Sequence, residues 1–171
     1  TVPPDARMQY PKLHRGVLGI IGLLLIQLAY GALMAGHKAA TAAPTWPTIN
    51  DKWIPDAFYN AQEGWLNLID NRIMIHFIHR GLAYILLAAI IFLSYQLYKI
   101  AGSAWFTHAR KWPLMLVLLQ VTLGIFSVLT STGIIPGVWG TFEWMAQLHQ
   151  LVAMLLLLSL IQLLFLIKRK A

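Results

Sequence analysis

Ile75-His76-Phe77-Ile78-His79-Arg80-Gly81-Leu82-Ala83 and Met145-Ala146-Gln147-Leu148-His149-Gln150-Leu151-Val152-Ala153 are two versions of one pattern. Each sets a histidine, followed by a second polar side chain, deep inside an apolar run. A run of roughly 20 such residues crosses a bilayer as a helix. Four runs qualify, at about 16–35, 73–98, 113–129 and 142–167. A titratable ring at membrane depth is costly and marks a functional site by default. Two of them, in two different spans, decide how the chain is read.

The spans repeat in pairs. Gln27-Leu-Ala-Tyr-Gly31 in the first answers Gln120-Val-Thr-Leu-Gly124 in the third, and the two histidine segments lie in the second and fourth. The expected fold is therefore an all-α membrane protein, a four-transmembrane-helix bundle made of two repeated helical hairpins. Like-oriented hairpins imply a pseudo-two-fold axis along the membrane normal. Composition agrees: 58% of the 171 residues are hydrophobic and 11% charged, against about 25% charged in a soluble domain.

The net charge of +7 reads as topology and not as a nucleic-acid footprint. Arg7, Lys12 and Arg15 are expected to precede the first span, Lys99, Arg110 and Lys111 separate the second and third, and Lys168, Arg169 and Lys170 close the chain. Lysine and arginine excess marks the cytoplasmic side, so both termini are expected to be cytoplasmic. The loops 36–71 and 130–141 are expected outside, with Trp112, Trp139 and Trp144 as interface anchors. Residues 1–14 read as a cytoplasmic lead-in or linker, and 15–171 as one membrane domain with a long outer loop at 36–71. That loop is rich in aromatics and prolines and is expected to include a short amphipathic helix near 58–67. With no cysteine in the chain, no disulfide staples it. The start at Thr1-Val2-Pro3 without methionine suits a processed product or a piece of a longer chain.

At about 1.5 Å per helical residue, His79 lies roughly 10 Å inside Arg72, and His149 roughly 9 Å inside Glu143. Both belong to inward-running helices, so the rings should meet at one level in the outer half of the membrane. Two axial nitrogens on opposed helices are what a hexacoordinate haem iron needs. Gly81, Ala83, Ala146 and Ala153 keep bulk low nearby. The rival reading is interhelical hydrogen bonding by each histidine; a zinc site would need further ligands. His76, one turn from His79, is a rival axial ligand, but it aligns with Ala146 in the repeat. Arg80 is expected either to snorkel outward or to pair with a haem propionate. Lys38, Lys52 and Arg72 are weaker candidates for that pairing. Gln27 and Gln120 are expected to hydrogen-bond within the bundle, His37 to cap or pack at the outer surface, and His14 and His108 to be solvated on the cytoplasmic side.

The chain from Lys12 to Lys170 resembles the haem A synthase family, membrane proteins that convert haem O into haem A. The resemblance rests on 27–36, on Thr45-Trp46-Pro47 with Trp53-Ile54-Pro55, on Phe77-Ile78-His79-Arg80, on Gln120-x-x-x-Gly124 and on His149-Gln150. It implies two similar four-helix halves in full-length members. The amino-terminal half carries the substrate haem and a catalytic glutamate three residues before its histidine; the carboxy-terminal half holds haem b between two histidines. Here His76 stands at the glutamate position, so the resemblance implies the cofactor-binding half, with no catalytic residue of its own. His79 and His149 would be the haem b iron ligands and Arg80 a cofactor-binding residue. The implied activity of the whole is oxidation of the haem O C8 methyl to a formyl group, for terminal oxidases. The implied partners are membrane lipid, haem O and haem A through a catalytic half upstream or in trans, and a homo-oligomer, in a bacterial cytoplasmic membrane. The alternative is a b-type cytochrome electron-transfer subunit that does not modify haem.

Overall fold

The structure is a computed structural model that describes residues 8–168. Of the basic residues used to orient the chain, Arg7, Arg169 and Lys170 lie outside those residues, as do the first seven residues of the lead-in. Five α-helices follow in order: α1 Pro11–Gly36, α2 Arg72–Tyr98, the short α3 Ala104–Ala109, α4 Trp112–Thr130 and α5 Thr141–Leu166. Among the described residues, α1, α2, the α3–α4 unit and α5 give four segments long and apolar enough to cross a membrane.

Local chemistry sets most of the boundaries. Pro11 begins α1, where a missing N–H costs nothing and the fixed φ suits the first turn. Lys12 and Arg15, expected before the helix, therefore ride on its first turns. Asn71 caps α2, its side chain accepting from the amides of Ile73 and Met74 at 3.0 and 3.1 Å. Ser103 caps α3 by accepting from Phe106 at 3.2 Å. Arg110 donates to the carbonyls of Leu97 and Ile100 at 3.2 and 2.9 Å. It thereby satisfies the free end of α2 and folds the α2–α3 connection back on itself. The short helix α3, which the sequence reading folded into a loop, wedges the fully buried Phe106 under the bundle.

Two hairpins result, α1 with α2 and α4 with α5, and they pack together through α1 against α5 and α2 against α4. The seam is aliphatic, with Leu86, Ile90, Leu93 and Leu97 of α2 and Leu156, Leu160 and Leu163 of α5 all buried at three- and four-residue spacing. The opposite faces expose Leu25, Phe92, Leu155 and Leu158, the pattern of helices whose outer faces meet lipid. Met8–Gln9 pairs in parallel with Ile167–Lys168, which puts both described ends at the same end of the bundle.

The outer loop is built from 3-10 turns at Ala39–Ala42, Asp56–Phe58 and Gly64–Leu68. The amphipathic helix expected near 58–67 does not form. The Asn67 side chain, almost completely buried, accepts from the Asn60 amide at 2.8 Å and donates to the carbonyls of Asn60 and Gly64 at 2.7 and 2.8 Å. Asparagine here offers the backbone a competing set of bonds, and the chain curls around it instead of winding on. Asn50 and Asp51, both at positive φ, make the tight turn of the Ile49–Lys52 bridge.

Because the chain has no cysteine, single cysteines report its sidedness cleanly. With Tyr10→Cys, Lys111→Cys and Trp53→Cys in separate intact-membrane preparations, an impermeant maleimide should label the first two from one face and the third from the other. Labelling of Tyr10→Cys and Trp53→Cys from the same face would contradict the arrangement.

Candidate functional site

The outward-running helix of each hairpin presents a glutamine to the histidine of the inward-running one. Gln27 of α1 has its Nε2 3.2 Å from Nδ1 and 3.3 Å from Nε2 of His79 on α2. Gln120 of α4 has its Nε2 3.2 Å from Nε2 of His149 on α5. An amide nitrogen can only donate, so in both hairpins a glutamine N–H faces an imidazole lone pair. The partners are 52 residues apart in the first hairpin and 29 in the second, so the contact is reproduced across loops of very different length. Sequence reading placed Gln27 and Gln120 in the bundle but gave them a general structural role. Their recurrence at one spacing from Gly31 and Gly124 was the signal available.

The two rings face each other across the hairpin interface, with centroids 6.5 Å apart and planes at 66°. Both histidines are half-buried. A metal bound by two imidazole nitrogens at about 2 Å each puts the ring centroids about 6 Å apart, so a single ion between these rings fits their separation. Among the described residues no three histidine or acidic side chains gather to hold a metal, which disfavours zinc and leaves two axial ligands as the set on offer. The buried Oε1 atoms of Gln27 and Gln120 have no hydrogen-bond partner among the described residues, marking this level as polar surface beyond what the helices themselves satisfy. The glycines that admit the rings are Gly31 and Gly124; Gly81, expected to make room, has nothing within 4 Å of where a Cβ would stand.

His76 and Arg80 form a second buried group, with His76 about one turn from His79 toward the outer loop. Arg80 Nε donates to His76 Nε2 at 3.0 Å. Its Nη1 donates to the Thr48 carbonyl at 2.9 Å and more weakly to Pro47 at 3.5 Å, and its Nη2 donates to Ala43 and Thr45 at 3.1 and 2.7 Å. All five N–H groups are thus committed to one imidazole and four loop carbonyls. The side chain is buried, not snorkelled into solvent. The reason is local: the loop returns over the outer end of α2, and a buried guanidinium takes the nearest acceptors that satisfy it. Two other cations of the loop region are engaged too. Arg72 donates to the Lys38 carbonyl and Thr41 Oγ1, both at 2.6 Å, and Lys52 pairs with Asp56.

The remaining histidines lie elsewhere. His37 ends α1 and sits 3.9 Å from Asp70, joining the two ends of the outer loop. His108 is exposed against the Trp112 ring. His14 is half-buried with an unpartnered Nδ1 among the described residues, not solvated as expected, because α1 starts early enough to carry it into the packed end. Replacing Arg80 by Ala would leave four loop carbonyls without their cation, a loss of about 3 kcal/mol for the closed loop. Hydrogen exchange at residues 43–50 should then speed up roughly a hundredfold, with the helices unchanged. Unaltered exchange in that segment would refute the latch.

The family model described as cytochrome oxidase assembly protein matches residues 3–161. Among curated relatives, a heme A synthase of Rhizorhabdus wittichii is 32% identical over 158 residues, covering 92% of this chain and 41% of its own. A heme A synthase of Sinorhizobium fredii is 34% identical over 142 residues, covering 81% and 36%, and one of Rhodopseudomonas palustris is 35% identical over 150 residues, covering 86% and 38%. The chain spans about two-fifths of the length of these relatives. No solved structure matches it. Since the family match takes in nearly all of the sequence, the chain belongs to the COX15-CtaA family of cytochrome oxidase assembly proteins, that of the haem A synthases.

Proposed function

We propose that this chain is the haem b-binding half of a haem A synthase, with His79 and His149 as the two axial ligands of the iron. The observation that carries the reading is the 6.5 Å separation of two imidazoles brought to one level by two like-built hairpins. Bound there, a haem supplies one-electron redox chemistry. The chain's own residues do the rest. His79 and His149 offer nitrogen lone pairs, the glutamine helices hold the rings, and the apolar helices exclude water around them. Arg80 serves the site by pinning the outer loop over that end of the bundle.

The role proposed for the half is to pass electrons to or from a catalytic haem held in a second half, upstream in the same polypeptide or on a partner chain. In that scheme the C8 methyl of haem O is oxidised to the formyl of haem A in the second half. Here the helix position that would hold an acid holds His76, whose Nε2 accepts from Arg80; α2 carries no carboxylate. That observation also favours the alternative reading, a b-type cytochrome subunit without haem-modifying activity. Co-expression with a glutamate-bearing four-helix half separates the two, since only the first reading predicts haem A formation that depends on this chain. The basic clusters described above support cytoplasmic termini in a bacterial inner membrane.

Purified from a haem-replete host, the chain should show a six-coordinate, low-spin haem b spectrum. His79→Ala and His149→Ala should each abolish the low-spin form, while His76→Gln should retain it. A stable, colourless wild-type protein would falsify the haem reading.

A further inference from the structure

The carbonyl of residue i in an α-helix lies beneath residue i+4, to whose amide it bonds. A ring from a neighbouring helix reaches that carbonyl only if the side chain at i+4 does not cover it. Four residues beyond Gln120 stands Gly124. Through that opening His149 Nδ1 comes to 2.9 Å from the Gln120 carbonyl. A Cβ on Gly124 would stand 2.9 Å from His149 Cε1, 3.4 Å from Nδ1 and 3.7 Å from Nε2. The first of these is closer than carbon atoms pack, so any larger residue at 124 pushes the ring off its carbonyl.

The bond also fixes the proton. A carbonyl oxygen only accepts, so Nδ1 carries the hydrogen and Nε2 keeps its lone pair. A backbone carbonyl on one ring nitrogen is the arrangement that orients a metal-ligating histidine and selects its tautomer. The Gln120 side chain cannot do this job, because its amide lies on Nε2 itself, the nitrogen a metal would take. In the other hairpin Gly31 stands four residues beyond Gln27 and faces the His79 ring. There a Cβ on Gly31 would stand 3.6 Å from His79 Cε1, an ordinary contact, so the seat is looser.

We infer that Gly124 and the Gln120 backbone carbonyl are the positioning elements for His149, fixing its ring plane and presenting Nε2 as the iron ligand. His149 is the rigid axial ligand and His79 the adaptable one. The Gln-x-x-x-Gly spacing thus acts through its glycine and its backbone more than through the glutamine side chain. This inference rests on the haem reading above.

Three variants of the full chain test it: Gly124→Ala, Gly31→Ala and Gln120→Ala. In haem-loaded protein, electron paramagnetic resonance reads the low-spin signal and its anisotropy. Gly124→Ala should lose low-spin signal and bind haem about tenfold more weakly or worse, whereas Gly31→Ala and Gln120→Ala should remain low-spin, with a smaller loss of affinity than Gly124→Ala. Side-chain nitrogen NMR on haem-free protein reads the seat independently of haem. The Nδ1–H form of His149 should dominate in wild type and Gln120→Ala, and a mixture of tautomers should appear in Gly124→Ala. Equal behaviour of the two glycine variants, or loss of the signature in Gln120→Ala, overturns the inference while leaving the haem reading standing. A colourless wild type with the expected Nδ1–H form sinks the haem reading while the seat stands. If Gly124→Ala fails to assemble, adding His149→Ala should restore assembly by removing the ring; continued failure means that the glycine serves helix packing, and the inference falls.

Discussion

A polar side chain carried to membrane depth must find its partner on another helix, because lipid offers none. The bundle is organised by that requirement. Each hairpin is tied by one glutamine–histidine contact, Gln27 to His79 and Gln120 to His149. Since the glutamines and histidines all sit within about three helical turns of the outer helix ends, four polar side chains share one layer. Below that layer the packing is aliphatic, with Leu86, Ile90, Leu156 and Leu160 filling the seam. The functional level is therefore fixed by the same contacts that hold each hairpin together, and the histidine pair lies where the two hairpins face one another.

The outer end follows a different logic. His76 and Arg80 are one helical turn apart on α2 and bonded to each other. The other bonds of Arg80 run outward to the loop. His37 with Asp70 and Arg72 with Lys38 and Thr41 tie the loop's two ends, while Asn67 organises its second half from within. The loop is held by polar anchors placed at its base and by one buried amide in its middle, although it has no regular secondary structure beyond short 3-10 turns.

Much of this was legible in the sequence, and the limits have physical causes. Span length, the paired hairpins and the meeting of His79 with His149 follow from apolar periodicity and a repeated spacing, which are properties of side-chain type. The hold of Arg80 on the loop was not legible because its partners are backbone carbonyls, and a carbonyl leaves no mark on the residue that carries it. Gln120 was undervalued for the same reason: part of what its position does is done by main chain under a glycine. The expected helix near 58–67 failed because hydrophobic pattern was weighed without the competing bonds of Asn60 and Asn67. The start of α1 was placed late because residues 1–14 were read as a lead-in, whereas Pro11 stands at the first helical position, where a proline is a starter.

The grip of Arg80 on Ala43, Thr45, Pro47 and Thr48 is made entirely through main-chain oxygens. A grip of that kind is indifferent to what those loop positions display. Their side chains can drift in identity, size or charge without releasing the bonds, provided that the path of the backbone is kept. The residue that holds the loop in place therefore sits in a membrane helix, and the loop's outward surface is left free to be shaped by whatever it faces.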